Sequence, residues 1–153
     1  MATIKVAVDT NIFGYAAGIG ADAVKRPIAG ALLTAIASDD LIVPTQVVGE
    51  FYNILVRKGG YPPMLARKII IDWTETVTVA AYTPDTMREA LEVASSRGLQ
   101  IWDALIQAVA RANACEILLS EDMQDGFEYF GLQIVNPFKT PTDPRVARLL
   151  ESP

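Results

Sequence analysis

No histidine occurs anywhere in the 153 residues, and cysteine occurs once. The first absence excludes a Ser-His-Asp or Cys-His couple, histidine-ligated zinc and an imidazole general base. The second excludes an intrachain disulfide and any multi-cysteine metal or redox motif. No stretch approaches the roughly 18 uncharged apolar residues of a membrane span. The start, MATIKVAVDTNIF, has no basic segment leading into a long apolar run. A cytoplasmic protein without membrane attachment is therefore expected. Basic residues are also in deficit, 13 Lys+Arg against 18 Asp+Glu for a formal charge of −5, which argues against a broad cationic surface for nucleic acid. What the chain does have is apolar and carboxylate side chains. With 51% hydrophobic and 20% charged residues it falls in the globular class, and its length suits one domain burying about 68–70% of its unfolded surface. A catalytic site built from such a composition is expected to rest on carboxylates, with a metal ion as their complement.

Hydrophobic periodicity divides the chain into alternating strands and helices. Ile4, Val6 and Val8 alternate with Lys5 and Ala7, the period of a strand, and the run stops at Asp9-Thr10-Asn11. A helix is expected from about Pro27 to Ser38, then a turn at Asp39-Asp40 and a short buried strand Leu41-Ile42-Val43. Pro44 opens a helix that Gly59-Gly60 closes. Further helices are expected from Pro62-Pro63 to about Trp73, from Pro84 to Ser96 and from Ile101 to Ala114, with β-rich Val77-Thr78-Val79 after the first of them. Glu116 to Ser120 and Leu132 to Val135 read as strands flanking the polar turn Glu121 to Gly126. This alternation predicts an α/β fold around a mainly parallel sheet. The chain divides into a domain over residues 1–138 and an arm over 139–153. The arm carries Pro141, Pro144 and Pro153 around Arg145 to Leu150, and packing on the domain or on a partner is expected to order it.

The acids fall at repeated places in this pattern. Asp9 ends a strand, and open α/β sheets bind ligands outside the carboxyl ends of their strands. Glu50 borders the apolar stripe Val47, Val48, Phe51, Ile54, Leu55 of its helix, with no cation at i±3 or i±4. Asp103 borders the face formed by Trp102, Leu105, Ile106 and Val109 in the same way. Asp122 and Asp125 follow the strand Ile117-Leu118-Leu119. Taken singly, each has a plainer reading: Asp9 as a helix N-cap, Glu50 as a solvated flank residue, Asp103 as a first-turn aspartate on the helix dipole, and Asp125-Gly126 as a turn. Taken together, carboxylates at one sheet end would raise one another's pKa values, a conflict that Mg²⁺ or Mn²⁺ resolves with oxygen ligation. Such a site suits in-line displacement at a phosphodiester.

These residues resemble the PIN-domain ribonucleases, and in particular the VapC toxins of bacterial toxin–antitoxin pairs. The resemblance rests on Val8-Asp9-Thr10-Asn11, Val48-Gly49-Glu50-Phe51, Ile101-Trp102-Asp103-Ala104-Leu105-Ile106, Leu119 to Gly126 and Ile134-Val135-Asn136-Pro137-Phe138. Each piece is short, but their order and spacing span nearly the whole chain. The resemblance implies a three-layer α/β/α PIN-like fold and a Mg²⁺- or Mn²⁺-dependent endoribonuclease. It implies a homodimer held inactive by a VapB-like antitoxin whose segment covers the site. Asp9, Glu50 and Asp103 would be the central acids and Asp122 the fourth catalytic carboxylate. Asp9, Asp103, Asp122 and Asp125 would be the metal-ligand candidates. Whether Asp122 or Asp125 completes the set stays open, Asp122 being nearer the strand end. Thr10 would support the cluster and Asn11 would cap or orient the following turn.

RNA contacts in so acidic a chain must come from a few placed cations, with Lys25-Arg26, Arg57-Lys58, Arg67-Lys68 and Arg97 as candidates. Phe13, Tyr15 and Tyr52 fit the core better than base stacking, and Arg111 on its helix flank has no assigned role. Other readings fit less well. Gly18-Ile-Gly20-Ala-Asp-Ala23 matches a loose dinucleotide fingerprint but lies about ten residues past the strand. A haloacid-dehalogenase-like site wants a second acid where Asn11 stands, a receiver domain wants paired N-terminal acids, and the Ser120 to Gly126 segment lacks EF-hand ligand spacing. Two alternatives survive: a PIN-domain RNA-processing nuclease that is no toxin, and a catalytically inactive PIN-fold module that binds RNA or protein.

Overall fold

The computed structural model describes residues 3–20 and 22–151. Six strands, β1 (Lys5–Val8), β2 (Leu41–Pro44), β3 (Thr78–Ala80), β4 (Cys115–Leu119), β5 (Glu128–Tyr129) and β6 (Leu132–Val135), form one sheet in the order β3-β2-β1-β4-β6-β5. All neighbours are parallel except the β5–β6 hairpin. Seven helices accompany them among the described residues: α1 (Thr10–Ala16), α2 (Lys25–Ala35), α3 (Thr45–Arg57), α4 (Pro63–Thr74), α5 (Pro84–Arg97), α6 (Ile101–Ala112) and α7 (Pro144–Glu151). The result is the expected three-layer α/β/α architecture. No helix of the described residues is long and apolar enough to cross a membrane.

The parallel sheet explains a detail of β1. Its alternation suggests one solvated face, yet Val6, Ala7 and Val8 are all fully buried, because helices cover both faces of a parallel sheet. Helix α6 is apolar nearly all round and is buried from Ala104 to Ala110, as a central helix must be. Helix α5 carries its own boundaries. Thr83 and Thr86 form a capping box, Pro84 occupies the first turn, and Gly98 ends the helix in the left-handed region at φ 67°. Phe13, Phe51 and Trp73 pack as a triad with centroid separations of 4.7–5.8 Å, so Phe13 belongs to the core as expected.

Three elements differ from expectation. Helix α1 begins directly after β1, where no helix was expected, because TNIFGYA has weak helix propensity; burial of Ile12 and Phe13 holds it in place. Pro44 is the last residue of β2 and the N-cap of α3, so it precedes the helix and does not lie in its first turn. Strand β5 is only two residues long, below the length that alternation can reveal.

The proline-bearing arm is largely a helix. Asp143 accepts from the Arg145 backbone N–H at 2.8 Å and pairs with its guanidinium, whose Nη1 also reaches Gln133 Oε1 on β6. Val146 is fully buried in the common core, against α2. Val146→Ala should therefore cost about 1–3 kcal/mol of stability, read as a lower urea midpoint with an unchanged slope. An arm resting loosely on the domain would leave the midpoint where it was.

Candidate active site

The register of the central strands brings the first and last acidic segments together. Val8 pairs with Leu119, and the Asp9 N–H donates to the Leu119 carbonyl at 2.9 Å, so Asp9 and Ser120 leave adjacent strands side by side. Asp9 is only 8% exposed. Its Oδ1 accepts from the Thr10 N–H at 2.7 Å and its Oδ2 from the Ser120 hydroxyl at 2.8 Å. Asp9 is thus the N-cap of α1 and a member of the acidic group at once. The two readings of the residue are compatible, since a carboxylate has acceptor capacity beyond one cap bond. Capping falls to Asp9 and not to Asn11, which lies inside α1.

Residues 10 and 11 reach outward to the other acids. The Thr10 hydroxyl donates to Glu50 Oε2, and Gln46, one turn earlier on α3, donates to Glu50 Oε1 at 2.7 Å. Two neutral donors therefore orient the half-buried Glu50. The Asn11 amide donates to Asp122 Oδ2, which fixes the exposed Asp122 relative to α1. Asp103 sits in the first turn of α6, where its N–H is capped by the Gln100 side chain at 3.0 Å.

The electrostatics are those of an uncompensated cluster. Burial pushes the Asp9 carboxyl up to about 6, with further repulsion from Glu50 and Asp103, against the lowering effect of the Thr10 and Ser120 hydrogen bonds. Asp103 is also raised, by burial first and then by Glu50 and Asp122. Among the described residues none of these four carboxylates forms an ion pair with lysine or arginine.

The other acids nearby are neutralised. Asp125 accepts from the Asn136 N–H at 2.9 Å and pairs with Lys139 at 2.7 Å, which holds its carboxyl below the usual range. Glu121 pairs with Lys25 at 2.5 Å, and the Lys25 ammonium also lies 5.2 Å from the Tyr15 ring centroid. The fold therefore brings together Asp9, Glu50, Asp103 and Asp122, and sets Asp125 apart. It also engages Lys25, a candidate RNA contact, within the protein. Arg111, given no role from sequence, pairs with Glu89 at 2.7 Å.

Hard oxygen donors with uncompensated charge are the ligand set that Mg²⁺ and Mn²⁺ prefer, so the residues fit such an ion in type and charge. Among the described residues no three acidic or thiol side chains converge into a finished metal cage. The acids act on one another through their charge, Asp9 with Glu50 and Asp103, and Asp103 with Glu50 and Asp122. Two residues that orient the acids, Ser120 and Gln46, had no assigned role from sequence. Ser120 was detectable only as a hydroxyl directly after a strand, and Gln46 as the i−4 neighbour of Glu50.

A three-layer α/β/α fold with a cluster of acids at the carboxyl edge of a parallel sheet is the architecture expected of a PIN-like protein. The family model for the PIN domain matches residues 6–128, and the chain belongs to that family. Among solved structures it is similar to the sarcin–ricin-loop-cleaving toxin VapC20 of Mycobacterium tuberculosis, at 24% identity and TM-score 0.63 over 77% of this chain and 90% of that one. It is also similar to a chain of a toxin–antitoxin complex from Klebsiella pneumoniae, at 20% identity and TM-score 0.65 over 87% of this chain and 98% of that one. FitAcB from Neisseria gonorrhoeae is similar at 14% identity and TM-score 0.57, over 87% and 98% of the two chains. A search of curated proteins returns no significant match in sequence.

Proposed function

We propose that the chain is a divalent-metal-dependent endoribonuclease and the toxin member of a toxin–antitoxin pair. The observation that carries this reading is the group Asp9, Glu50, Asp103 and Asp122 at the sheet's carboxyl edge, where burial and mutual repulsion raise Asp9 and Asp103 and, among the described residues, no ion pair to lysine or arginine relieves them. Asp9, Asp103 and Asp122 are the residues assigned to hold Mg²⁺ or Mn²⁺. When bound, the cation supplies Lewis-acid activation of water and stabilisation of charge on the phosphodiester. Glu50, oriented by Thr10 and Gln46, is assigned to accept the proton of the attacking water. Asn11 fixes Asp122, and Ser120 fixes Asp9.

The toxin reading draws on the similar structures, one of them a toxin and another a chain of a toxin–antitoxin complex. It carries a cytoplasmic location, a homodimer and an antitoxin partner. The antitoxin segment is assigned to cover the acidic group itself.

The choice of fourth acid has a direct test. Asp122→Asn should lower cleavage of RNA in Mn²⁺ by about 10-fold or more. Asp125→Asn should leave cleavage within about twofold, while costing about 1 kcal/mol of stability through the Lys139 and Asn136 contacts. Parallel rate and urea-unfolding measurements on the two variants check this. Loss of activity in Asp125→Asn with Asp122→Asn unaffected would reverse the assignment.

A further inference from the structure

Trp102 has an exposure that its place on α6 does not explain. By helical period it lies on the stripe of Leu105, Ile106 and Val109, and those three residues are buried. Trp102 is nevertheless 49% exposed. The cause is its position along the helix. From Ala104 to Ala110 α6 is buried on every side, and only its two ends, Ile101 to Asp103 and Arg111 to Ala112, open to solvent. The core stripe thus ends in the turn that carries Asp103, with the exposed indole on the adjacent residue. The chain's other tryptophan, Trp73, is partly buried and packs edge-on against Phe13 and Phe51.

We propose that Trp102 is a substrate-binding platform on which a base flanking the scissile phosphate stacks. This rests on the ribonuclease reading of the same site. A phosphate held at the acids carries its bases to the immediate rim, and single-stranded RNA is recognised largely by stacking of splayed bases on aromatic faces. An acidic rim also gives stacking particular weight, because it contributes attraction where the cluster's charge opposes the backbone. Lys25, the cation next to the segment carrying Asp122, is already paired with Glu121. Stacking tolerates any base, so Trp102 sets affinity at one nucleotide and does not read its identity.

The test uses full-length protein, a single-stranded RNA oligonucleotide of mixed sequence, and the variants Trp102→Ala and Trp102→Phe. Titration with RNA in EDTA should quench wild-type tryptophan fluorescence, and Trp102→Phe should remove most of the quenching, since Trp73 is partly buried against the core. In Mn²⁺, Trp102→Ala should raise KM about 5- to 150-fold with kcat changed far less, and Trp102→Phe should restore most of the loss. Unquenched wild-type fluorescence, or Trp102→Ala with wild-type affinity, overturns the proposal. So does conversion of a dimer to a monomer by Trp102→Ala in light scattering, which would make the indole a contact between copies. The two readings fail separately. Cleavage with an unmoved KM in Trp102→Ala sinks the platform and leaves the nuclease, whereas quenching without cleavage in any divalent metal sinks the nuclease and leaves an RNA-binding surface.

Discussion

Asp103→Asn and Asp9→Asn each lower metal-dependent RNA cleavage by about 10³-fold or more, while the melting temperature holds or rises. The activity loss follows from the assigned role: a carboxylate that holds the cation contributes several kcal/mol of transition-state stabilisation, and each 1.36 kcal/mol is about tenfold in rate. Retained stability follows from what asparagine keeps. At position 9 the amide oxygen accepts from the Thr10 N–H as Oδ1 does now, and the Ser120 hydroxyl rotates to accept where it now donates. What is removed is a buried charge facing Glu50 and Asp103. With about 2–4 °C per kcal/mol for a chain of this size, Asp9→Asn melts several degrees higher at neutral pH without metal. Thermal melts beside an oligonucleotide cleavage assay read both quantities. Wild-type cleavage in either variant, or collapse of the fold in both, removes the acids from the role assigned to them.

The second large effect is a stability profile that falls as pH rises. Asp9 titrates near 6 in the fold against 3.8 as a free side chain, so between those values the native state binds more protons than the unfolded one. Unfolding free energy then decreases with pH across that window. The contribution of protonated Asp9 is complete below about 3.8 and lost once pH passes about 6, on the order of 3 kcal/mol in all. Asp103, raised by burial and then by Glu50 and Asp122, acts in the same direction. Asp125 and Asp143, both lowered by basic partners, act oppositely: their contribution is present above the unfolded carboxylate value and lost as pH falls below it. Metal-free protein should therefore be most stable near pH 4–5 and weaker at 7.5, as measured by urea unfolding in EDTA. Saturating Mn²⁺ suppresses the fall by favouring the ionised cluster, and Asp9→Asn flattens most of it. A profile that rises from pH 4.5 to 7.5 in EDTA would mean that Asp9 is not held as a raised, uncompensated carboxylate.

The arrangement of strands and long helices was readable from period and punctuation because those signals are local. The alternation at Ile4 to Val8 and the glycine after α5 state their elements directly. Helix α1 was not readable, since Ile12 and Phe13 hold it through burial against distant residues. The acids themselves were readable as strand-end and stripe-edge positions, but not the links between them. Nothing local joins Thr10 to Glu50 or Asn11 to Asp122; those contacts exist only because the sheet order puts β1 between β2 and β4. The same reason separates Asp122 from Asp125. Three residues apart in sequence, they differ in what the fold brings to them, Asn11 for one and Lys139 for the other. The exposure of Trp102 was not readable for a related reason: helical period places it on the apolar face of α6 but does not report where that stripe runs out.

The most direct test of the central claim is RNA cleavage by purified, partner-free protein as Mn²⁺ is titrated into an EDTA-stripped sample. The account predicts no cleavage in EDTA, activity that saturates with added Mn²⁺, and no activity at any Mn²⁺ concentration in Asp103→Asn. Cleavage that persists in EDTA, or wild-type protein that stays inactive on every RNA across the full titration, would contradict it.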